Sequence, residues 1–165
     1  MKRIVAALGV IDRAVTRWAM RFLACLMGGM TTAIVLAIIS RFIIKVPMPW
    51  TEEVARYLMI WAAFIAGSLG LKRGVHVGIV FVVNRLPWDL RRWVSLIAKF
   101  SVLFFFIVVI LEGFRMTMFV STQLSPVLRI SMAWVYSALP VGGILFLFYT
   151  VQSLFEDLKN FFGNR

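Results

Sequence analysis

From about residue 22 to about residue 155 the chain alternates between apolar stretches and short charged joints. Phe22 to Ser40 and Ile130 to Phe155 carry no charge, and each is at least as long as the roughly 18 residues that mark a spanning helix. Tyr57 to Leu71 is uncharged but shorter, and Phe100 to Leu111 is shorter still, between Lys99 and Glu112. Both reach spanning length if flanking charges snorkel or pair near the interface. A two-pass reading would leave the run F-S-V-L-F-F-F-I-V-V-I-L in water. The pattern therefore predicts four spanning helices, over 22–44, 52–71, 93–116 and 130–152.

Residues 1–21 have a different period. Ile4, Leu8, Ile11, Val15, Trp18 and Phe22 recur every three or four positions, with Arg13, Arg17 and Arg21 on the opposite face. This is the pattern of a basic amphipathic helix lying in the membrane surface. A signal peptide needs an unbroken apolar core, which Asp12 and Arg13 interrupt. The expected class is an all-α membrane protein. It has a surface helix over 1–21, a four-helix transmembrane domain over 22–155 and a short cytoplasmic tail over 156–165. The joint K-V-P-M-P-W is stiffened by Pro47 and Pro49, and Thr51 is the expected N-cap of the second helix.

Composition confirms the need for lipid or a large partner. The chain is 62% hydrophobic, with a mean hydropathy of +0.93. A soluble domain of this size buries only about two thirds of its surface. The net charge of +11 is unevenly distributed. Thirteen Lys and Arg residues lie in the N-terminal segment, the joint between the second and third helices, and the C-terminus. Five lie in the other two joints: Arg41, Lys45, Arg56, Arg115 and Arg129. The bias places both termini and the joint between the second and third helices of a multi-pass membrane protein in the cytoplasm. It also makes anionic phospholipid the expected partner of the basic face. Nucleic-acid binding is not supported, because the charges are scattered over joints and no basic soluble domain carries them.

One cysteine, Cys25, and one histidine, His76, exclude an internal disulfide, a thiol-metal cluster and bis-histidine haem ligation within the chain. No nucleophile–base pair or phosphate-cradling loop is present, so neither enzyme activity nor a cofactor is expected. The richest segment is the second helix. Glu52, Glu53 and Arg56 share one helix edge, and Ala63, Gly67, Gly70 and Gly74 continue along that face as a small-residue strip suited to close helix packing. Arg41 can pair with Glu52 or Glu53, and Glu112 with Arg115, since a charge near the bilayer is costly unless paired or hydrated. No acid lies at mid-membrane depth, which disfavours an ion pathway through this chain.

The segment W-T-E-E-V-A-R-Y-L-M-I-W-A-A-F-I-A-G at 50–67, followed by L-K-R-G-V-H-V at 71–77, resembles the small membrane subunit (DctQ type) of tripartite ATP-independent periplasmic (TRAP) transporters. The matching positions are Trp50, Glu52, Glu53, Arg56, Trp61, Phe64, Gly67, Arg73 and His76. S-P-V-L-R-I-S-M-A-W-V-Y-S-A-L-P-V-G-G at 125–143 is similar to the entry to that family's fourth helix. The Asp that many members carry shortly after the His is missing here, where the chain reads H-V-G-I-V-F. The resemblance implies two partners. One is a large membrane subunit (DctM type) that moves substrate with sodium. The other is a periplasmic solute-binding protein (DctP type) that captures an organic acid such as a dicarboxylate or sialic acid. The small subunit would scaffold the first and help dock the second. The alternatives are a self-contained four-helix exporter, which needs a deep acidic residue, and a structural subunit of another membrane complex.

Overall fold

The computed structural model describes residues 2–72 and 88–163. Helix α1 (Lys2–Ile39) runs into a π-helical turn (Ser40–Ile44). It is followed by α2 (Pro49–Lys72), α3 (Trp88–Phe119), the single turn α4 (Ala133–Tyr136) and α5 (Ala138–Gly163). Among the described residues four helical stretches are long and apolar enough to cross a membrane: Ile11–Ile44, Pro49–Lys72, Ile97–Phe119 and Ala133–Phe155. The chain is thus an all-α, multi-pass membrane protein.

Three boundaries differ from the sequence expectation. The amphipathic segment over 1–21 and the first span are one continuous helix of 38 residues. At 1.5 Å per residue it is about 57 Å long, well beyond the ~30 Å hydrocarbon layer. The N-terminal turns therefore extend past the span without a secondary-structure break. The fourth long helix starts at Ala138 rather than 130, because residues 121–132 form a hairpin-like loop. Its closure is set by a bridge between Leu124 and Ser131 and by Ser125 N–H donating to the Ile130 carbonyl at 2.8 Å. At its far end α5 continues to Gly163, so the tail expected over 156–165 is helical through that residue.

Local chemistry explains the ends. Lys45 terminates the first helix in the left-handed region (φ 59°), and its N–H donates to the Ser40 carbonyl. Arg129 in the hairpin loop is also left-handed (φ 56°). Each costs on the order of 1–2 kcal/mol that a glycine would avoid. Pro49 opens α2, where its missing N–H is harmless. Thr51 is therefore inside the first turn and not its N-cap. Its hydroxyl donates to the Met48 carbonyl at 2.7 Å. Pro140 is tolerated because it falls in the first turn of α5.

Close backbone approach links α1 to α2, α2 to α5 and α5 to α3, with none between α1 and α3 among the described residues, while α1 side chains reach Tyr149 of α5 at one end. Contacts between α2 and α5 run in parallel, Phe64 with Gly142 and Gly67 with Phe146. Those between α3 and α5 run antiparallel, Gly113 with Pro140 and Ile110 with Gly143. The adjacent glycines Gly142 and Gly143 explain the order. Consecutive helical residues point about 100° apart, so one glycine admits Phe64 of α2 and the other Ile110 of α3. The core is modest: Ala19 and Leu26 of α1, Ala62, Ile65 and Leu69 of α2, and Tyr149 of α5. Many large apolar side chains stay exposed, among them Phe42, Ile43, Phe104, Met118, Phe119 and Trp134. Only 6% of the most apolar window of α3 is buried within the chain, against 33% for α5.

Candidate functional site

The N-terminal end of α2 organises one rim of the helix assembly. Glu52 points to α1 and meets the Arg41 guanidinium at 2.6 Å, with the two side chains 54% and 61% exposed. Two shallow clefts flank this pair. One is lined by Ser40, Pro47, Met48 and Pro49, the other by Ile34, Ile38, Phe42 and Ala55. Trp50 is exposed beside them.

Glu53, the next residue, has the opposite environment. It is buried and faces the hairpin loop. One carboxylate oxygen accepts the Tyr57 hydroxyl at 2.5 Å. The other accepts the backbone N–H groups of Val127 and Leu128 at 3.0 and 3.1 Å. A carboxylate that receives three hydrogen bonds is well compensated for burial, and it pins the loop to α2. Tyr57 also reaches the Met132 sulfur at 3.5 Å, and one turn further the Trp61 indole donates to the Trp134 carbonyl at 3.1 Å.

Arg56 lies between these flanks. It is exposed and forms no ion pair with either acid, so the structure does not assemble Glu52, Glu53 and Arg56 into one cluster. Glu112 and Arg115 pair with each other at 2.7 Å on the exposed end of α3. Along the small-residue strip, Ala63 is exposed and Gly70 has open space where a side chain would be. Gly67 abuts the Phe146 ring of this chain's own α5, at 2.8 Å from an added Cβ. Gly74, Arg73 and His76 lie outside the described residues.

Sequence reasoning missed a polar node at the other end of α2. Lys72 donates to Asp12 and to the Thr16 hydroxyl, each at 2.6 Å. Thr16 and the buried Tyr149 hydroxyl are 3.3 Å apart, and the Lys72 ammonium lies 5.3 Å from the Tyr149 ring centre. Three helices thus meet at one ion pair. The available signal was Asp12, the single acid in a segment of basic residues, which marks a position where a cation comes from elsewhere. Lys99, expected to snorkel, reaches the Ser153 carbonyl of α5 at 3.2 Å. Among the described residues no three His, Cys, Asp or Glu side chains gather into a metal site. These contacts hold helices and loops in place. They form no acid–base pair aligned on a cavity.

Residues 30–160 match the family model of tripartite ATP-independent periplasmic transporters, DctQ component. The chain is 28% identical over 138 residues to the sialic acid TRAP transporter small permease protein SiaQ of Vibrio cholerae serotype O1, covering 84% of this chain and 80% of that protein. It is 32% identical over 108 residues to the C4-dicarboxylate TRAP transporter small permease protein DctQ of Rhodobacter capsulatus, covering 64% of this chain and 48% of that protein. The sialic acid TRAP transporter permease protein SiaT of Haemophilus influenzae is 28% identical over 122 residues, which make up 74% of this chain but only 20% of that longer protein.

Proposed function

The chain belongs to the DctQ component family of TRAP transporters and is a small permease subunit rather than an enzyme, and from that premise we propose that it scaffolds a large transport subunit of the DctM type and helps receive a periplasmic binding protein. The observation that carries the scaffold role is the amount of large apolar side-chain surface that the described helices leave exposed. A lone four-helix bundle would bury its interior, whereas only 6% of the most apolar window of α3 is buried within the chain. The match to one fifth of SiaT supports the same reading, since a segment like this chain is there fused to a longer permease.

In this reading the chain lies in the inner membrane with both termini cytoplasmic, as the arginine and lysine bias favours. The Arg41–Glu53 rim is periplasmic, and Arg13, Arg17 and Arg21 contact anionic headgroups. The transported solute is an organic acid and the coupling ion is sodium, both supplied by the other subunits. The relatives named for sialic acid and for C4-dicarboxylates support the acid class without choosing within it. The decisive experiment is co-expression with the large subunit. The two should co-purify, and uptake into proteoliposomes should require both together with the binding protein. Sodium-driven uptake by this chain alone would overturn the proposal in favour of a self-contained transporter.

A further inference from the structure

We propose that Lys45, Arg56 and Arg129 form a preorganised cationic row on the periplasmic rim, and that it docks an acidic patch of the solute-binding protein. The inference rests on the docking role proposed above and names the chemistry and the residues.

Charge bookkeeping at the rim isolates these three side chains. Its cations are Arg41, Lys45, Arg56, Arg115 and Arg129, and its acids are Glu52, Glu53 and Glu112. Arg41 is paired with Glu52 and Arg115 with Glu112. Glu53 is buried and bound to Tyr57 and the loop backbone. Lys45, Arg56 and Arg129 are exposed, and among the described residues none of them has an ion-pair partner. The surface offered to the periplasm is therefore positive.

Placement makes the three a row. On α2, Glu52 faces α1 and Glu53 faces the hairpin loop. Arg56 follows them by four and three positions, which puts it on the arc between the two flanks. Lys45 stands at the α1 side of that arc. Arg129 stands at the loop side, next to Leu128, which Glu53 holds. Two of the three occupy left-handed backbone positions, Lys45 at φ 59° and Arg129 at φ 56°. Glycine would fit both at less cost, so the folded chain alone gives no reason for a long cationic side chain there. Their supports are rigid: Pro47 and Pro49 follow Lys45, and the Glu53 carboxylate holds the Arg129 loop. Such preorganisation suits a protein partner of fixed charge pattern. A fluid layer of lipid phosphates does not require it.

The test uses the purified complex of this chain with its large subunit in nanodiscs, over the immobilised binding protein of the same transporter. Changing Lys45, Arg56 and Arg129 together to Gln should raise Kd at least tenfold in 50 mM salt. Most of the change should appear in the association rate, and the gap should shrink in 500 mM salt. Arg129→Lys should bind like wild type. Arg129→Gly should bind more weakly while melting no lower than wild type, a combination that a purely structural role for Arg129 cannot produce. A triple variant that keeps the wild-type Kd and salt dependence overturns the cationic row and leaves the scaffold role standing. Unchanged protein binding with lost affinity for phosphatidylglycerol vesicles also overturns it, assigning the row to lipid. A wild-type complex that does not bind the solute-binding protein at all overturns the docking reading itself, and the row with it.

Discussion

Against α1, helix α2 packs through side chains and carries an ion pair at each end of the seam, Glu52 with Arg41 and Lys72 with Asp12. Against α5 and the hairpin loop it packs by glycine interlock, with a buried carboxylate at the top. An added Cβ at Gly29 on the α1 side would lie 3.2 Å from the flexible end of Leu58. One at Gly142 on the α5 side would lie 2.6 Å from the Phe64 Cβ, an atom that cannot move without its backbone. One flank of α2 can thus adjust, and the other is fixed. This division suits a scaffold whose α2–α5–α3 part interlocks through glycines and whose α1 is held by side-chain packing and ion pairs at both ends.

The comparison is broken most severely at Glu53. In Glu53→Ala the Tyr57 hydroxyl and the Val127 and Leu128 N–H groups lose their acceptor together. The bonds are part-buried, and donors left without a partner in such a site cost more than a hydrogen bond contributes. The melting temperature of the purified chain in detergent, followed by the fluorescence of its six tryptophans, should fall by on the order of 10 °C. A fall no larger than that of Arg41→Ala would show that the loop is not held by this carboxylate. Next in size is Gly142→Ala, where a single methyl group must displace Phe64. Overpacking of this kind costs about 1–3 kcal/mol. Gly29→Ala on the other seam should be near neutral, and equal effects at the two glycines would erase the distinction between the flanks.

How much of this was legible in the sequence follows from what each feature depends on. The four long helices were, because hydrophobic run length is a local property that the bilayer enforces. The start of α5 was not. The uncharged stretch begins at Ile130, but the chain does not become helical until the loop has been anchored by Glu53, more than seventy residues earlier in sequence. For the same reason the pattern E-E-x-x-R suggested one cluster at a helix edge. Helical spacing tells which residues share a face and not which neighbour each one meets, so it could not separate Glu52, turned to α1, from Glu53, turned to the loop. The small-residue strip of α2 drew attention to Gly67, whereas the pair that sets the order of the helices is Gly142 and Gly143. Two adjacent glycines serve two neighbours at once, a cue that a search along one helix face overlooks.

A sharper contrast lies between the two ion pairs of the α1 seam. Asp12 and Lys72 are 17% and 28% exposed, and Lys72 also serves Thr16 beside the buried Tyr149. Lys72→Met should destabilise the chain by about 1–2 kcal/mol, because Asp12 and Thr16 lose a charged donor in a partly dry site. With the exposed Cys25 replaced by Ser, cysteines introduced at 12 and 72 should be joined by a short bis-maleimide. Failure to cross-link would mean that α1 does not lie along α2 as far as its third turn.

The smallest effect is expected at the opposite end of the same seam. Arg41 and Glu52 are more than half exposed, and an exposed pair is typically worth about 0.5 kcal/mol after screening. Arg41→Ala should therefore leave the melting temperature of the isolated chain within about 1–2 °C of wild type. Because the partner of Glu52 is Arg41 and not Arg56, the swap that tests the pair is Arg41→Glu with Glu52→Arg. It should restore whatever the single changes lose in stability. Uptake by the assembled transporter is a separate readout, since both residues line the clefts beside Pro47 and Pro49. If the swap rescues stability and uptake alike, the pair only ties α1 to α2. If stability is rescued while uptake stays low, each charge meets its own counterpart on another subunit, and the flexible flank of α2 is then the one that faces a partner.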